Sequence, residues 1–293
     1  MHLADSLLQF TVSGIALGAI YGIVGLGFTI IFNATGVINF AQGEFVMLGG
    51  LVAATLVSLH VPVALALPIA GFAVAIVGLL VQRLAVQPLT RSSVISMVTV
   101  TIGVSVLLRG VAKELWGPNS VAMAPFSGSQ PLHLGTAAVE PQEVWVVATV
   151  LVIVVGVQLF FEHTMVGKAM RACAINRAAA QLAGISVDRM NLLAFGLSAG
   201  ISGLAGVVLA PLTMVSYSSG TPIAVKGFCA AIVGGLGNSA GAVVGGILLG
   251  MLESLGAGFI SSDYKNAFAL LVLLLVLVLR PSGLLGKRTD RGL

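Results

Sequence analysis

The sequence predicts an all-α fold: a polytopic bundle of about eight or nine transmembrane helices, one domain spanning residues 1–293. Three observations carry this. Only 8% of residues are charged and 58% are hydrophobic, whereas a soluble domain carries roughly 25% charged residues, so too few are available to dress a water-facing surface. Mean hydropathy is +1.09. Apolar residues also run unbroken, as in "AFALLVLLLVLVL" (Ala267–Leu279), where a membrane β-barrel would alternate apolar and polar residues over about ten positions.

A spanning helix needs ~20 mostly apolar residues. Segments that satisfy or approach this lie at 7–31, 41–60, 62–82, 93–111, 144–161, 191–215, 222–236, 240–258 and 264–279. The first opens with "MHLADSLLQF", which lacks a basic n-region, and the run behind it is long enough to span, so no cleavable signal peptide is expected. Within it Gly14, Gly18 and Gly22 recur every four residues and define one helix face. Gly196 and Gly200 do the same in 191–215. Small residues at this spacing predict close helix packing.

The segment at 41–60 begins with polar residues. The apolar run from Phe45 to Leu59 would rise about 22 Å, short of a hydrocarbon core of ~30 Å. The helix therefore starts earlier, with Asn39, Gln42 and Glu44 at or below the interface. A carboxylate there either lines a polar path through the bundle or sits in a first helical turn behind an Asn cap.

Residues 112–143 form the one long exported loop, marked by the turn-rich "WGPNS" and "APFSGSQPL". The glycine-rich "VGGLGNSAGAVVGG" separates 222–236 from 240–258. These are two short spans or one re-entrant hairpin, and either returns the chain to the side it left.

Charge sets the orientation. Arg83 and Arg91, then Lys168, Arg171, Arg177 and Arg189, then Arg280, Lys287, Arg288 and Arg291 make ten of the fourteen basic residues. Alternating spans put all three groups on one side, the cytoplasm. Arg109, Lys113, Lys226 and Lys265 fall to the other. The N-terminus is thus outside and the C-terminus inside.

Several chemistries are disfavoured. Cys173 and Cys229 are far apart, with no metal-ligand spacing. No phosphate-binding "GxxxxGK[ST]" occurs, since "GLLGK" at Gly283–Lys287 is too short. No cofactor, catalytic pair or nucleic-acid partner is expected. No Lys, Arg or His stands convincingly at mid-span, where proton-coupled carriers place relays, and Glu253 is read near a helix end. Energy for transport would come from another subunit.

Between two apolar segments stands "GKAMRACAINRAAAQLAG", a cytoplasmic stretch within 162–190 that is rich in strong helix formers. Gly167 and Gly184 bracket a helix of about 16 residues, or ~24 Å. Its small side chains suit a knob pressed into another protein's groove, with basic residues against an acidic rim. A helix lying on anionic lipid fits the composition equally.

The motifs "INFAQGEFVMLGG", "MVGKAMRACAINRAAAQLAGISVDRMN", "AFGLSAGISGLAGVVLAP", "AIVGGLGNSAGAVVGGILLGMLE" and "VLVLRPSGLLGK" together resemble the branched-chain amino acid permease family. They resemble most closely its H-type membrane subunits in high-affinity ATP-binding-cassette importers. The resemblance runs from about residue 10 to 287. It implies a bacterial inner-membrane subunit working with a second, related permease, two cytoplasmic ATPases and a periplasmic or extracellular binding protein. It also implies that the stretch around "RACAINRAAAQLAGI" touches the ATPase. Lys168, Arg171, Asn176, Arg177, Ala179 and Gly184 are then the coupling residues, with Arg171 and Arg177 pairing with the ATPase rim. Urea, short amides or aromatic acids are alternative substrates of look-alike permeases, and an ATP-independent carrier or channel is the alternative class.

Overall fold

The computed structural model describes residues 3–89, 93–128, 130–134, 137–261 and 265–286. Arg91, Asp263, Lys287, Arg288 and Arg291 lie outside the described residues. The helices are α1 (Leu3–Thr35), α2 (Gln42–Ser58), α3 (Val63–Val81), α4 (Val94–Trp116), α5 (Pro141–His163), α6 (Met165–Ile175), α7 (Arg177–Leu182), α8 (Val187–Leu209), α9 (Gly220–Gly234), α10 (Ser239–Phe259) and α11 (Lys265–Leu279). A π-helical turn, Gln82–Val86, extends α3. The loop before α5 carries an antiparallel hairpin of β1 (Leu132–Leu134) and β2 (Ala137–Val139).

The chain is therefore an all-α polytopic fold with one small hairpin. Among the described residues, six helices are long and apolar enough to cross a membrane: those at Ser6–Thr35, Val63–Leu89, Val94–Trp116, Pro141–His163, Val187–Leu209 and Ser239–Phe259. The predicted spans at 41–60, 222–236 and 264–279 correspond to the shorter apolar helices Gln42–Ser58, Gly220–Gly234 and Ala267–Leu279. The first is short because the chain leaves α1 through Gly36, at φ +73°. It does not resume a helix until Gln42.

Helices α1 and α8 form the centre. The most apolar windows of these two are 83% and 72% buried, against 17–28% for α3, α4 and α5, which make an apolar outer ring. Glycine sets the tightest contacts. A Cβ on Gly14 would stand 2.8 Å from the Met251 Cα, and one on Gly18 2.6 Å from both the Gly246 oxygen and the Ile247 Cα. One on Gly22 would meet the Val243 Cα at 3.0 Å. α1 and α10 thus run antiparallel with backbone against backbone, and Gly246 and Gly250 offer the matching surface from α10. Gly196 and Gly200 of α8 face Leu79 and Ala75 of α3.

The short helices α2 and α9 begin side by side. A Cβ on Gly43 would collide with the Gly220 carbonyl, and one on Gly220 with the Glu44 carboxylate. This junction lies deep in the bundle. Helix α4 runs alongside α2, with the Trp116 indole donating to the Thr55 hydroxyl (2.7 Å) at one level and Ser105 donating to Glu44 (2.9 Å) at another. Ser105 is about halfway along α4, roughly 17 Å from its start at 1.5 Å per residue. From the junction α2 proceeds towards the Trp116 end of the bundle. α9 proceeds towards the opposite end, where Asn33 near the end of α1 donates to the Gly237 carbonyl (2.9 Å) just beyond α9.

Candidate functional site

The α2–α9 junction carries an ion pair. Glu44 is 1% exposed, and its Oε1 accepts hydrogen bonds from Ser105 (2.9 Å) and Thr221 (3.3 Å). Arg109 Nε stands 3.5 Å from the same oxygen. Glu44 lies in the first turn of α2 and abuts the first residue of α9. Partial positive charge at two helix N-termini favours an acidic group there.

A cleft of about 550 Å³, counting its open mouth, adjoins this cluster. Phe28, Phe40, Ile102, Val225 and Phe228 form apolar walls, while Ser105, Arg109 and Thr221 supply the polar lining. The Phe228 ring packs 5.7 Å from Phe28 and 6.0 Å from Phe40, centroid to centroid. The lining, mostly apolar with a few placed polar groups, is of the kind small-molecule sites use.

Asn39 and Gln42 precede Glu44 in the chain, but neither is among the residues lining the cleft. Gln42 Nε2 donates to Ser198 (2.9 Å) and Ser202 (2.6 Å), and Ser198 donates onward to the Gly27 carbonyl (2.9 Å). α2 is thereby tied to α8 and α1. Asn39 Oδ1 accepts from the Ala41 amide (3.1 Å), while its Nδ2 is buried without a partner among the described residues. Sequence reasoning missed Ser105, Arg109 and Thr221. Arg109 is followed closely by Lys113 and Glu114, so the apolar segment reads as ending there. The helix in fact continues to Trp116, which leaves Arg109 inside the bundle.

A second ionic cluster also corrects the expectation that cations avoid the spans. Lys226, in the middle of α9, lies 2.6 Å from Glu253 of α10. The Tyr21 hydroxyl of α1 is 3.1 Å from Lys226 and 3.2 Å from Glu253. Glu253 and Tyr21 are both buried. The pair escapes notice in sequence because α9 and α10 bring its members together across a glycine turn.

The basic stretch forms a helical elbow, not one helix. Thr164 caps α6 by accepting from the Gly167 amide (2.9 Å). Asn176 breaks the run and caps α7 by accepting from the Ala179 amide (3.0 Å). Gly184 closes α7 at φ +83°, a conformation available to glycine without strain. Cys173, Ala180 and Val187 make a small core that holds the elbow to α8. Lys168, Arg171, Asn176, Ala179 and Gly184 are exposed. So are Ile175 and Leu182, at 86% and 91%, which is unusual for large apolar side chains on one small element. Arg177 is exposed too, but its guanidinium turns back on the chain and donates to the Ala34 carbonyl at the end of α1 (2.8 Å).

The fold has a solved counterpart. The chain is similar to PsaBC from Streptococcus pneumoniae, solved in complex with Fab, with TM-score 0.50 and 14% identity over 94% of this chain and 92% of that one. Sequence relatives are nearer. The high-affinity branched-chain amino acid transport system permease protein LivH of Escherichia coli K12 is 31% identical, and BraD of Pseudomonas aeruginosa, a protein of the same description, is 29% identical. Each comparison covers 96% of both chains. The ribose import permease RbsC of Escherichia coli K12 is 27% identical over 89% of this chain and 82% of its own. Residues 10–277 match the family described as the branched-chain amino acid transport system permease component, and the chain belongs to that family.

Proposed function

We propose that this protein is a membrane permease subunit of an ATP-driven importer for branched-chain amino acids. It lines the translocation path at the α2–α9 junction and receives its drive through the α6–α7 elbow. The observation that carries the substrate class is end-to-end similarity to the LivH and BraD permeases. The apolar cleft beside a charged pair fits that cargo better than it fits a polyhydroxylated sugar such as ribose.

On this reading the elbow faces the cytoplasm of a bacterial inner membrane and the N-terminus lies outside. Exposed Ile175 and Leu182 enter a groove on an ATPase subunit, and Lys168 and Arg171 meet its rim. Arg177 serves instead as a strut to α1. A second, related permease completes the path, two ATPases drive it, and an external binding protein delivers substrate. Helices α2 and α9, broken at mid-bundle, follow the general transporter design in which half-helices begin at the substrate site.

Reconstitution into liposomes with the partner subunits tests this. ATP-dependent uptake of leucine, isoleucine or valine is expected, with none from this chain alone. Uptake from this chain alone, or of ribose in place of leucine, would refute the reading. Asn176→Cys should react with impermeant thiol reagents only from the cytoplasmic side.

A further inference from the structure

The geometry points to a binding site for a zwitterionic amino acid in the cleft beside Glu44, with Arg109 as the anchor of its carboxylate. This deepens the proposed function and rests on it for the identity of the cargo.

The guanidinium carries five donors in a fixed fork. Its Nε faces buried Glu44, while the side chain as a whole is one-third exposed (33%) and lines the cleft. No hydrogen bond engages its terminal nitrogens among the described residues, so they are open to a carboxylate, which guanidinium binds in paired fashion. The hydroxyls of Ser105 and Thr221 each give their proton to Glu44. Their lone pairs are left as acceptors for an ammonium group and carry the influence of the carboxylate behind them. Glu44 and Arg109 together bring no net charge, which matches a ligand that also has none. Phe28, Ile102, Val225 and Phe228 then receive a branched apolar side chain.

A simple anion would compete with Glu44 for Arg109 and bring no donor to the free lone pairs of the Ser105 and Thr221 hydroxyls. A simple cation would meet Arg109. A sugar would offer the open terminal nitrogens of Arg109 no carboxylate to bind in paired fashion, and it would set hydroxyls against the apolar walls of Phe28, Ile102, Val225 and Phe228.

Val225 is 44% exposed and lines the cleft, whereas Cys173 and Cys229 are buried. In the assembled importer, Val225→Cys can therefore be followed by its rate of reaction with a small methanethiosulfonate reagent. Leucine should slow that reaction several-fold. Leucinol, which lacks the carboxylate, and 4-methylpentanoate, which lacks the ammonium, should slow it little. Adding Arg109→Gln should raise the half-protecting leucine concentration about tenfold or more, the loss expected for a charge-assisted contact. Arg109→Lys should recover part of it.

Protection by leucinol or ribose equal to that by leucine, or protection indifferent to Arg109→Gln, overturns the site. So does an unreactive Val225→Cys in an importer that still takes up leucine. Selective protection without ATP-dependent uptake upholds the site and refutes the importer reading, so the two failures are told apart. Ile102→Trp, which fills the cleft without removing charge, should abolish protection. If protection by leucine persists in it, the site is again overturned.

Discussion

The Arg177 guanidinium donates to the carbonyl oxygen of Ala34 across 2.8 Å, joining the elbow to the last turn of the central helix α1. Cations near a helix C-terminus are favoured by its partial negative charge, so this contact is a strut from elbow to core. On the proposed reading, Arg171 and Arg177, six residues apart, have separate tasks: one meets the ATPase and the other braces the elbow.

Arg171→Glu is expected to weaken association with the ATPase subunit, and co-purification at low and high salt measures this. Arg177→Ala should leave co-purification near wild type and lower ATP-driven uptake several-fold. Equal loss of association in both variants would return Arg177 to the interface.

Gly18→Ala places a methyl 2.6 Å from backbone atoms of α10, so the helices must separate. A cost of about 1–3 kcal/mol is expected, as for overpacking. Gly156→Ala on α5 meets nothing within 4 Å and should be neutral or stabilising by up to about 1 kcal/mol. Thermal unfolding of the two variants in the same detergent compares them.

Lys226→Met removes the cation beside buried Glu253, with the Tyr21 hydroxyl (3.2 Å) still donating to the carboxylate. Breaking a buried pair from one side costs about 3–5 kcal/mol, whereas replacing both members with apolar residues is often neutral. Lys226→Met combined with Glu253→Leu should therefore recover most of the unfolding temperature lost in the single variant. If the double variant is worse than either single one, the pair does more than hold α9 to α10.

Burial pushes the Cys173 thiol up, against an opposing effect from Arg177. The thiolate is the reactive form, so a raised pKa leaves less of it at any given pH. Maleimide labelling of the folded protein should stay slow as pH rises through about 8.5, the usual thiol value. It should become fast once detergent-denatured. Rapid labelling of Cys173 at neutral pH would show that the elbow core opens.

Helix class and most segment positions were readable because lipid imposes them: long apolar runs have few other uses. The glycine faces were readable as periodicity, although their partners were not, since Gly18 and Ile247 meet only once α1 and α10 are folded together. Asn39, Gln42 and Glu44 stood out as polar residues ahead of a short apolar run. Arg109 did not, because the charges after it imitate the end of a span, and Thr221 is an unremarkable residue until α9 brings it to Glu44. The break at Asn176 was also hidden, since alanine-rich sequence on either side suggests one continuous helix. An Asn side chain that competes for a backbone amide ends one helix and starts the next.

The α1–α10 seam has a mechanical corollary. Where two backbones touch directly, no intervening rotamers can reshuffle to absorb a push. Over Gly14–Gly22 the pair is expected to move as one stiff unit, so that a displacement applied to α1 there would be shared by α10 as far as Phe10 and Phe259, whose rings meet at 5.5 Å.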